Sequence, residues 1–448
     1  MKACSVLYDV VLMIVDLRMK NRPLRPVAVL VVGFLAIILF GSALLSLPFS
    51  QRSSADLTYL DCLFVSTSAV CVTGLSTVDL ASSFTASGNF IIALLIQIGG
   101  LGFATMAVFT LSVLGMQLRI SDISLAKESL NRGSSKNIMS LVRDVMAYSF
   151  AIELAGSALL YPVFKGRGMS VFKSIMMSAF HSVSAFNNAG FDLNGDSSSL
   201  ASLNGNAYAY FVFSLLILLG GLGFLVMREL LEFRRKRPLS LHAKIVLAST
   251  AVLLVFGTLL IASGGVGLLD SFFLSVSSRT AGFATFPLDK LSDSSALVVV
   301  VLMFIGANPG STGGGIKTTT AFVIFAAMVS VVTGKQPKAF KRAIKQESVM
   351  KALTVFIMAV LIACFATFAI LLVESGKFSF MDILFEVISA VATVGLSRSV
   401  TSGLEVASKL ILIAVMFAGR VGALTIVSAL VRRKSERLKF VEEDIMIG

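Results

Sequence analysis

Four short apolar segments that each end in a glycine recur along this chain of 448 residues. They align without gaps, and in each of them a Phe stands ten residues before the glycine. The segments are FVSTSAVCVTG (64–74), FHSVSAFNNAG (180–190), FFLSVSSRTAG (272–282) and FEVISAVATVG (385–395). Internal repetition is the sequence signature of a fold that repeats one structural unit. We therefore expect four copies of such a unit.

Longer apolar blocks flank these segments. Hydrophobic residues make up 56% of the chain and charged residues only 14%, whereas soluble domains carry about 25% charged residues. The blocks are roughly 20 residues long, the length at which a helix crosses the hydrocarbon core of a bilayer. They predict eight crossings, near 27–47, 90–115, 145–164, 207–227, 244–262, 296–305 with 320–333, 352–373 and 406–431.

The predicted unit is a helix, a short re-entrant segment and a second helix. Small residues recur in each second helix: Gly99, Gly100, Gly220, Gly221, Gly306 and Gly419. We predict an all-α integral membrane protein with four consecutive helix–pore-loop–helix repeats around one central pore. The predicted repeats are 25–116, 138–232, 241–333 and 349–431, between an N-terminal segment 1–24 and a C-terminal tail 432–448.

The charge distribution orients the chain. Its formal charge is +13, and basic residues gather at both termini and in alternate connections, within 2–25, 119–136, 228–237, 335–345 and 432–439. Because cytoplasmic connections of membrane proteins are rich in Lys and Arg, these segments are expected in the cytoplasm. Both termini are then cytoplasmic, and the basic balance does not indicate a nucleic-acid partner. We expect a multi-pass protein of a bacterial cytoplasmic membrane.

The glycine-ended segments predict a cation filter. Non-helical backbone at membrane depth cannot face lipid, because its polar groups would have no partner there. Four such segments on one axis would point carbonyl oxygens inward, where they can replace the hydration shell of a cation. Glycine suits this position because it adopts positive φ at little cost. The predicted filter residues are Val72, Thr73, Gly74, Asn188, Ala189, Gly190, Thr280, Ala281, Gly282, Thr393, Val394 and Gly395.

Acidic residues accompany two of the segments. Asp61 and Glu386 lie within the short helices that precede the first and fourth glycines. An acid at membrane depth is a functional candidate by default. Here we expect both carboxylates to hydrogen-bond the loop backbone and hold the filter in shape, while their charge favours cations.

The sixth crossing is interrupted by the sequence GANPGSTGGGIKTTT (306–320). Pro309 and five glycines would break any helix, so an intramembrane loop is expected at 306–318. A phosphate-binding P-loop needs Lys directly after its last glycine, whereas Ile316 separates Gly315 from Lys317 here.

A flexible polar loop below the filter could obstruct the pore. Arg420 lies in an otherwise apolar helix, about 16 Å short of the C-terminal basic cluster at helical rise, so it is expected to face the pore. The predicted gate residues are Gly306, Gly310, Gly313, Gly314, Gly315, Lys317 and Arg420.

These motifs resemble those of a known family. They are SAVCVTGLST (68–77), SAFNNAGFDL (184–193), SSRTAGFATF (277–286), SAVATVGLSRS (389–399), QIGGLGF (97–103), LLGGLGF (218–224) and NPGSTGGGIKTTT (308–320). The chain resembles the Trk/Ktr/HKT superfamily of potassium transporters over nearly its whole length. It is most similar to the KtrB-type membrane subunit, because it begins almost directly with the first repeat.

The resemblance implies several properties. It implies potassium as the ion in the filter and as the substrate, with sodium as a candidate activator, no covalent cofactor and no other metal. It also implies a homodimer with one pore per subunit, surrounded by membrane lipid, on a cytosolic ring of nucleotide-binding, KtrA-like regulatory subunits. The resemblance assigns the gating role to the loop. Channel-like permeation and transport coupled to sodium or protons both fit it.

Two other classes of protein fit this pattern less well. A secondary transporter of a small solute coupled to a cation would show two inverted halves and a pocket with specific donors, whereas this chain has four repeats in the same sense. An enzyme would need reactive groups, but the chain has only His181 and His242 and neither an HExxH nor a GxSxG motif. The sequence therefore predicts a transporter and not an enzyme.

Overall fold

The computed structural model describes residues 26–102, 105, 138–195, 199–233 and 238–422. The predicted terminal segments 1–24 and 432–448 lie outside these ranges, as do most of 103–116 and all of 423–431. The longer helices are α1 (Pro26–Leu45), α2 (Tyr59–Cys71), α3 (Ala86–Leu101), α4 (Ile138–Lys165), α5 (Val171–Phe186), α6 (Ala207–Gly221), α7 (Phe224–Phe233), α8 (Leu241–Ser263), α9 (Leu268–Ser277), α10 (Asp293–Phe304), α11 (Thr318–Thr333), α12 (Gln346–Glu374), α13 (Phe380–Val391) and α14 (Val406–Val421). A small antiparallel hairpin, β1 (Lys338–Ala339) and β2 (Arg342–Ala343), joins α11 to α12.

The helices pack in groups of three. The groups are α1–α3, α4–α6, α8–α10 and α12–α14, and in each the short middle helix contacts the helix before it and the helix after it. Capping explains where three of the middle helices begin, since the side chains of Thr58, Ser170 and Ser379 accept the free N–H groups of the first turn. The fold is mostly helical, and these caps fix where three of its short helices begin.

The groups follow one another around a common axis. The last helix of each group packs against the middle helix of the next: α3 against α5, α6 against α9, and α10 against α13. The series closes on itself, because α14 packs against α2. The four middle helices therefore share one centre, and the segments that follow them meet there.

Small residues permit these crossings. A Cβ built on Gly99, Gly220 or Gly419 would collide with a backbone carbonyl at the end of the middle helix in the same group. The carbonyls belong to Val70, Phe186 and Val391. The glycines noted in the second helices therefore allow close approach of two backbones.

The gapless alignment of the third segment is wrong by one residue. In the other segments, the residue before the glycine donates its N–H to the carbonyl six positions before that glycine, as Ala189 does to Ser184. In the third segment, Ala281 donates to Ser277, which lies only five positions before Gly282. The turn contains one residue fewer, so Phe273 is fully buried and Phe272 is half-buried.

The fourth apolar block does not form one straight helix. The block at 207–227 was predicted as a continuous crossing, but α6 and α7 meet at an angle of 100°. Gly223 has a φ of +90° at the break, and the Phe224 N–H donates to the Gly310 carbonyl, 2.9 Å away, instead of continuing the α6 ladder. The bend thus follows from a hydrogen bond to a distant loop.

Within the described residues, three helices are long and apolar enough to cross a membrane by length and composition. They are Val142–Lys165, Leu241–Ser263 and Gln346–Glu374, and α6 with α7 would make a fourth if the bent pair counts as one span. α10 and α11 are separate helices, joined by residues 305–317. The number of eight crossings remains a prediction.

Candidate functional site

The four repeated glycines follow helix ends of one backbone shape. Each glycine has positive φ: 94° at Gly74, 71° at Gly190, 77° at Gly282 and 96° at Gly395. The residue two positions earlier is also left-handed: φ is 55° at Val72, 57° at Asn188, 85° at Thr280 and 50° at Thr393. Left-handed backbone is uncommon outside glycine. Two such residues within three positions turn the chain sharply from helix to extended strand.

The glycines form a closed ring. A Cβ built on Gly74 would lie 2.5 Å from the Ala189 carbonyl oxygen, and one on Gly190 would lie 2.8 Å from that of Ala281. Gly282 and Gly395 stand in the same relation to the carbonyl oxygens of Val394 and Thr73. Each glycine therefore lies against the residue that precedes the next glycine, and no side chain fits at any of the four positions.

The recurring serine of each segment anchors its turn. The Oγ atoms of Ser68 and Ser389 each accept the N–H of the glycine in the same segment, at 3.0 Å. Ser184 Oγ donates to the Phe191 carbonyl at 2.7 Å, and Ser277 Oγ donates to that of Phe283 at 2.5 Å. All four hydroxyls thus fix the backbone beside a glycine.

A second anchor links each middle helix to the chain beyond its glycine. The Asp61 carboxylate accepts the hydroxyl of Thr77 at 2.6 Å, and the Asp270 carboxylate accepts that of Thr285 at 2.7 Å. Glu386 accepts the Thr401 hydroxyl, and His181 Nε2 accepts the Leu193 N–H at 3.4 Å.

The sequence predicted that Asp61 and Glu386 hydrogen-bond the loop backbone, and this is wrong as to the partner, because both carboxylates accept threonine hydroxyls of the segment beyond the glycine instead. Asp61 does bind backbone, since it accepts the Thr58 N–H at 3.2 Å, but this is a helix cap. The signal for the missed residues was a Thr three positions after the first and third glycines, Thr77 and Thr285.

A cavity of about 540 Å³ opens on one side of the ring. The four glycines and the residues that follow them line it, with several serine and threonine hydroxyls. Asp79 and Asp192 contribute carboxylates, and none of its lining residues, all from the described part of the chain, is basic. The charged side chains in this lining therefore favour cations over anions.

The loop between α10 and α11 lies on the other side of the ring. A Cβ on Gly313 would collide with the hydroxyl of Thr280, and one on Gly314 would collide with that of Thr393. The loop thus contacts residues that precede the ring glycines, whereas the cavity is lined by these glycines and by residues that follow them. Lys317 Nζ donates to the Gly313 carbonyl at 2.6 Å, which closes the loop on itself.

Arg420 contacts this loop directly. Its guanidinium donates to the Thr312 carbonyl in the loop and to the carbonyls of Gly99 and Gly100 at the end of α3. The C-terminal end of a helix carries partial negative charge, which explains how the positive charge of Arg420 is stabilised at the end of α3. The structure therefore brings Arg420, Gly313, Gly314 and Lys317 together.

Of the three remaining predicted gate residues, Gly306 and Gly315 lie where the two ends of the loop meet, and Gly310 lies within the loop. Gly306 is close to Gly314 and Gly315, where Ile305 and Ile316 form a bridge between the loop ends. Gly310 lies at the break between α6 and α7, and a Cβ built on it would have no atom within 4 Å. Gly310 is thus apart from the Arg420 contact.

Two loop residues that sequence reasoning missed attach it to neighbouring helices. Asn308 Nδ2 donates to the Gly221 carbonyl at 2.7 Å. Thr312 Oγ1 lies 3.2 Å from the carbonyls of Phe186 and Gly220. The loop is therefore held from the second group as well as from Arg420.

Sequence reasoning also missed a buried polar cluster beside the second turn. Asn187 Nδ2 donates to Gln97 Oε1 at 2.9 Å and to Glu153 Oε1 at 3.0 Å. All three side chains are at least nine-tenths buried. The cluster joins α3, α4 and α5 behind the ring.

A family model matches most of this chain. The model is TrkH, described as a cation transport protein, and it matches residues 29–269 and 245–439.

Two curated proteins are similar over almost their full length. The potassium/sodium uptake protein NtpJ of Enterococcus hirae is 37% identical over 449 residues, which cover 96% of this chain and 99% of that protein. The Ktr system potassium uptake protein B of Bacillus subtilis is 36% identical over 442 residues, which cover 94% of this chain and 97% of that protein.

A solved structure has a similar fold. It is the crystal structure of the potassium transporter TrkH from Vibrio parahaemolyticus, with a TM-score of 0.69 and 18% sequence identity. The match covers 92% of this chain and 86% of the other. At this identity the likeness shows the fold alone.

Proposed function

Because the chain belongs to the TrkH family of cation transport proteins, we propose that it takes up potassium across the bacterial cytoplasmic membrane. The relatives named as potassium uptake proteins support the choice of ion. The observation that carries the proposal is the closed ring of Gly74, Gly190, Gly282 and Gly395, at which no side chain fits.

In the proposed filter, backbone carbonyls replace water around the ion. Carbonyl dipoles can substitute for a potassium hydration shell, and the four turns supply them from four sides. The buried hydroxyls of Thr73 and Thr393 have no hydrogen-bond partner among the described residues, so they are available to the ion as well. The carboxylates of Asp79 and Asp192 in the cavity beside the ring raise the local cation concentration.

In the proposed gate, the loop 306–318 obstructs the pore beneath the filter. The contacts of Gly313 and Gly314 with filter threonines support this position. Arg420 holds the loop and places a positive charge in the ion path, which is both a steric and an electrostatic obstacle. Opening then requires the Arg420–Thr312 contact to break or shift.

The proposed assembly has two copies of this chain on a cytosolic ring of nucleotide-binding, KtrA-like subunits. The name of the Ktr system relative supports a protein that works with other components. The basic connections support cytoplasmic termini. Sodium, which the name of the Enterococcus hirae relative includes, is the candidate activator.

The alternative is a secondary transporter that couples a small solute to a cation. It would need a pocket with donors for that solute at membrane depth. The cavity beside the ring carries hydroxyls and two carboxylates but no basic group in its lining, drawn from the described residues. This chemistry suits a cation better than a solute with an anionic group.

The test is potassium and sodium uptake in cells that lack other potassium uptake systems. Serine at each of the four filter glycines, made one at a time, is expected to abolish uptake or its preference for potassium. Gly376→Ser is the matched control, because Gly376 has a φ of +86° but no atom within 4 Å of a Cβ. Loss at one filter glycine with no change at the other three would contradict a shared ring. Saturable uptake of a small solute, at a rate that does not depend on potassium, would favour the alternative.

A further inference from the structure

An apolar groove of about 730 Å³ lies between the split pair α10 and α11 and the helices α12 and α13. One wall is a stripe on α11 that includes Ala321, Phe325 and Met328, spaced to share one helix face. The opposite wall is a stripe on α12 that includes Val360 and Cys364. Phe325 and Met328 are more than 60% exposed, so the groove is open along its side.

The inner end of the groove reaches the loop between α10 and α11. Ile305 and Ile316, the bridged residues at the two ends of that loop, both line the groove. Anything that fills the inner end would therefore touch the base of the loop that Arg420 holds.

The other end of the groove leads to the β1–β2 hairpin, which connects its two walls. The turn of this hairpin is unusual, because Phe340 and Lys341 have φ values of 46° and 64°. A two-residue turn with both φ values positive normally takes Asn or Gly. Phe340 is nevertheless 52% exposed. A bulky residue in a strained conformation at an exposed tip points to a role in binding.

The hairpin and its flanks carry a concentrated positive charge. The segment 334–345 contains five basic residues and no acidic one. These side chains are Lys335, Lys338, Lys341, Arg342 and Lys345, and all are exposed. Lys and Arg in a short connection beside membrane helices are typical of the cytoplasmic side. A cluster of this kind beside membrane helices can bind anionic lipid headgroups.

We propose that the groove and the hairpin form a site for an anionic phospholipid of the cytoplasmic leaflet. The headgroup binds Lys338, Lys341 and Arg342, and one acyl chain enters the groove between α11 and α12 at Met328 and lies along Phe325. The site deepens the proposed function, because it rests on the cytoplasmic orientation of the hairpin and on the loop as gate. Lipid occupancy then acts on the proposed gate through α11, the helix that follows the loop.

The dimensions are compatible with one lipid. Met328 lies five residues before the end of α11 at Thr333, a rise of about 8 Å along a helix. One leaflet of the hydrocarbon core is about 15 Å deep. A chain whose headgroup sits at the hairpin therefore enters the groove at Met328 and extends further inward along its walls.

Charge argues against a second copy of this chain as the occupant. In a twofold interface the same patch meets itself. The basic hairpin of each copy would then approach that of its partner, and like charges would repel. An anionic headgroup instead neutralises the cluster.

Cys364 provides a direct test. It is exposed in the groove, whereas Cys62 and Cys71 are fully buried. The full-length protein with Cys4→Ser is labelled at Cys364 with bimane and reconstituted in phosphatidylcholine vesicles. Phosphatidylglycerol or additional phosphatidylcholine with brominated acyl chains is then added at equal mole fraction. Brominated phosphatidylglycerol is expected to quench more strongly.

The triple variant Lys338→Gln/Lys341→Gln/Arg342→Gln should remove this preference, since three surface charges correspond to a weakening of roughly 100-fold. The matched control is Lys165→Gln/Lys173→Gln/Lys290→Gln, which removes three exposed charges elsewhere and should keep the preference. Equal quenching by the two headgroups would overturn the proposal. Protection of Cys364 from labelling that increases with protein concentration would also overturn it, because it would indicate a second copy in the groove.

Two further measurements complete the test. Native mass spectrometry of the unlabelled protein and of the triple variant reports retained phosphatidylglycerol without a label in the groove, and equal retention by both would also contradict the site. Potassium uptake by the same vesicles is measured in parallel. Quenching does not depend on ion flux, so a failed lipid site and a failed transport function give different results.

Discussion

The guanidinium of Arg420, near the end of α14, donates a hydrogen bond to the carbonyl oxygen of Thr312 in the loop between α10 and α11. The same side chain reaches the carbonyls of Gly99 and Gly100. The last described helix therefore connects the loop beneath the glycine ring to the end of α3. This contact makes Arg420 the first position at which to test the proposed gate.

Arg420→Ala is expected to increase the rate of potassium uptake and to weaken the preference over sodium. The loop loses its attachment, and the positive charge leaves the ion path. Unpaired buried carbonyls should also lower the free energy of unfolding by about 1–3 kcal/mol. Uptake into vesicles and thermal unfolding in detergent measure the two effects. Arg420→Lys is the control, because it keeps the charge. An unchanged rate and ion preference in Arg420→Ala would show that this residue is not part of a gate.

Gly313→Ala should reduce uptake strongly, and Gly310→Ala should not. A Cβ on Gly313 would lie 2.7 Å from that of Ala307 and would also collide with the Thr280 hydroxyl, so the loop must shift against the filter. Overpacking of this kind costs about 1–3 kcal/mol. The Gly310 position has space for a methyl group. Its φ of +69° destabilises the folded state of the alanine variant by only about 1–2 kcal/mol. Equal uptake by the two variants would mean that the loop tolerates displacement.

Thr77→Val is expected to lower potassium-over-sodium selectivity. The change removes the hydroxyl that donates to the Asp61 carboxylate at 2.6 Å, so the strand beyond Gly74 loses its link to α2. A buried acceptor left without its donor costs about 1–3 kcal/mol. Thr77→Ser keeps the hydroxyl and should keep selectivity. Competition between rubidium and sodium uptake measures the effect, and the same loss in both variants would exclude the hydrogen bond as its cause.

Asp79→Asn/Asp192→Asn should raise the potassium concentration needed for half-maximal uptake. Asparagine still caps the helical turn that Asp79 begins, so the change is mainly one of charge. The effect should be largest at low ionic strength and should fade near 1 M salt, where the Debye length is about 3 Å. Uptake is measured across a salt series. A change that does not depend on ionic strength would argue against electrostatic attraction at the cavity.

The motifs were sufficient to identify the family, and the resemblance drawn from them is confirmed by the family match and the Ktr relatives. The sequence also predicted that Arg420 and the interrupted segment at 306–318 belong together, and the structure brings them into contact. Their roles as gate and filter remain predictions. Helix-breaking residues and a charged residue within an apolar segment are local features, which is why they can be recognised in the sequence.

The errors came from features that depend on distant contacts. Gly223 lies in an apolar run that can continue as helix, and the bend there requires the hydrogen bond from Phe224 to Gly310, far along the chain. The one-residue shift at Ser277 was not predicted, because a gapless alignment cannot show that the last turn of a helix has lost a residue. The partner of Glu386, Thr401, does not follow its glycine at the spacing of Thr77, so no repeat pattern indicates it.

The contact between α2 and α14 has a consequence for biosynthesis. The first short helix leaves the ribosome early, but the helix that completes its surroundings is the last one described, and the hydrogen bond from Arg420 to Gly99 spans 321 positions. Long chains generally fold from the N-terminus as they emerge, yet here the first unit must wait for the fourth. A chain that terminates before α14 therefore leaves α2 exposed on the side that α14 covers.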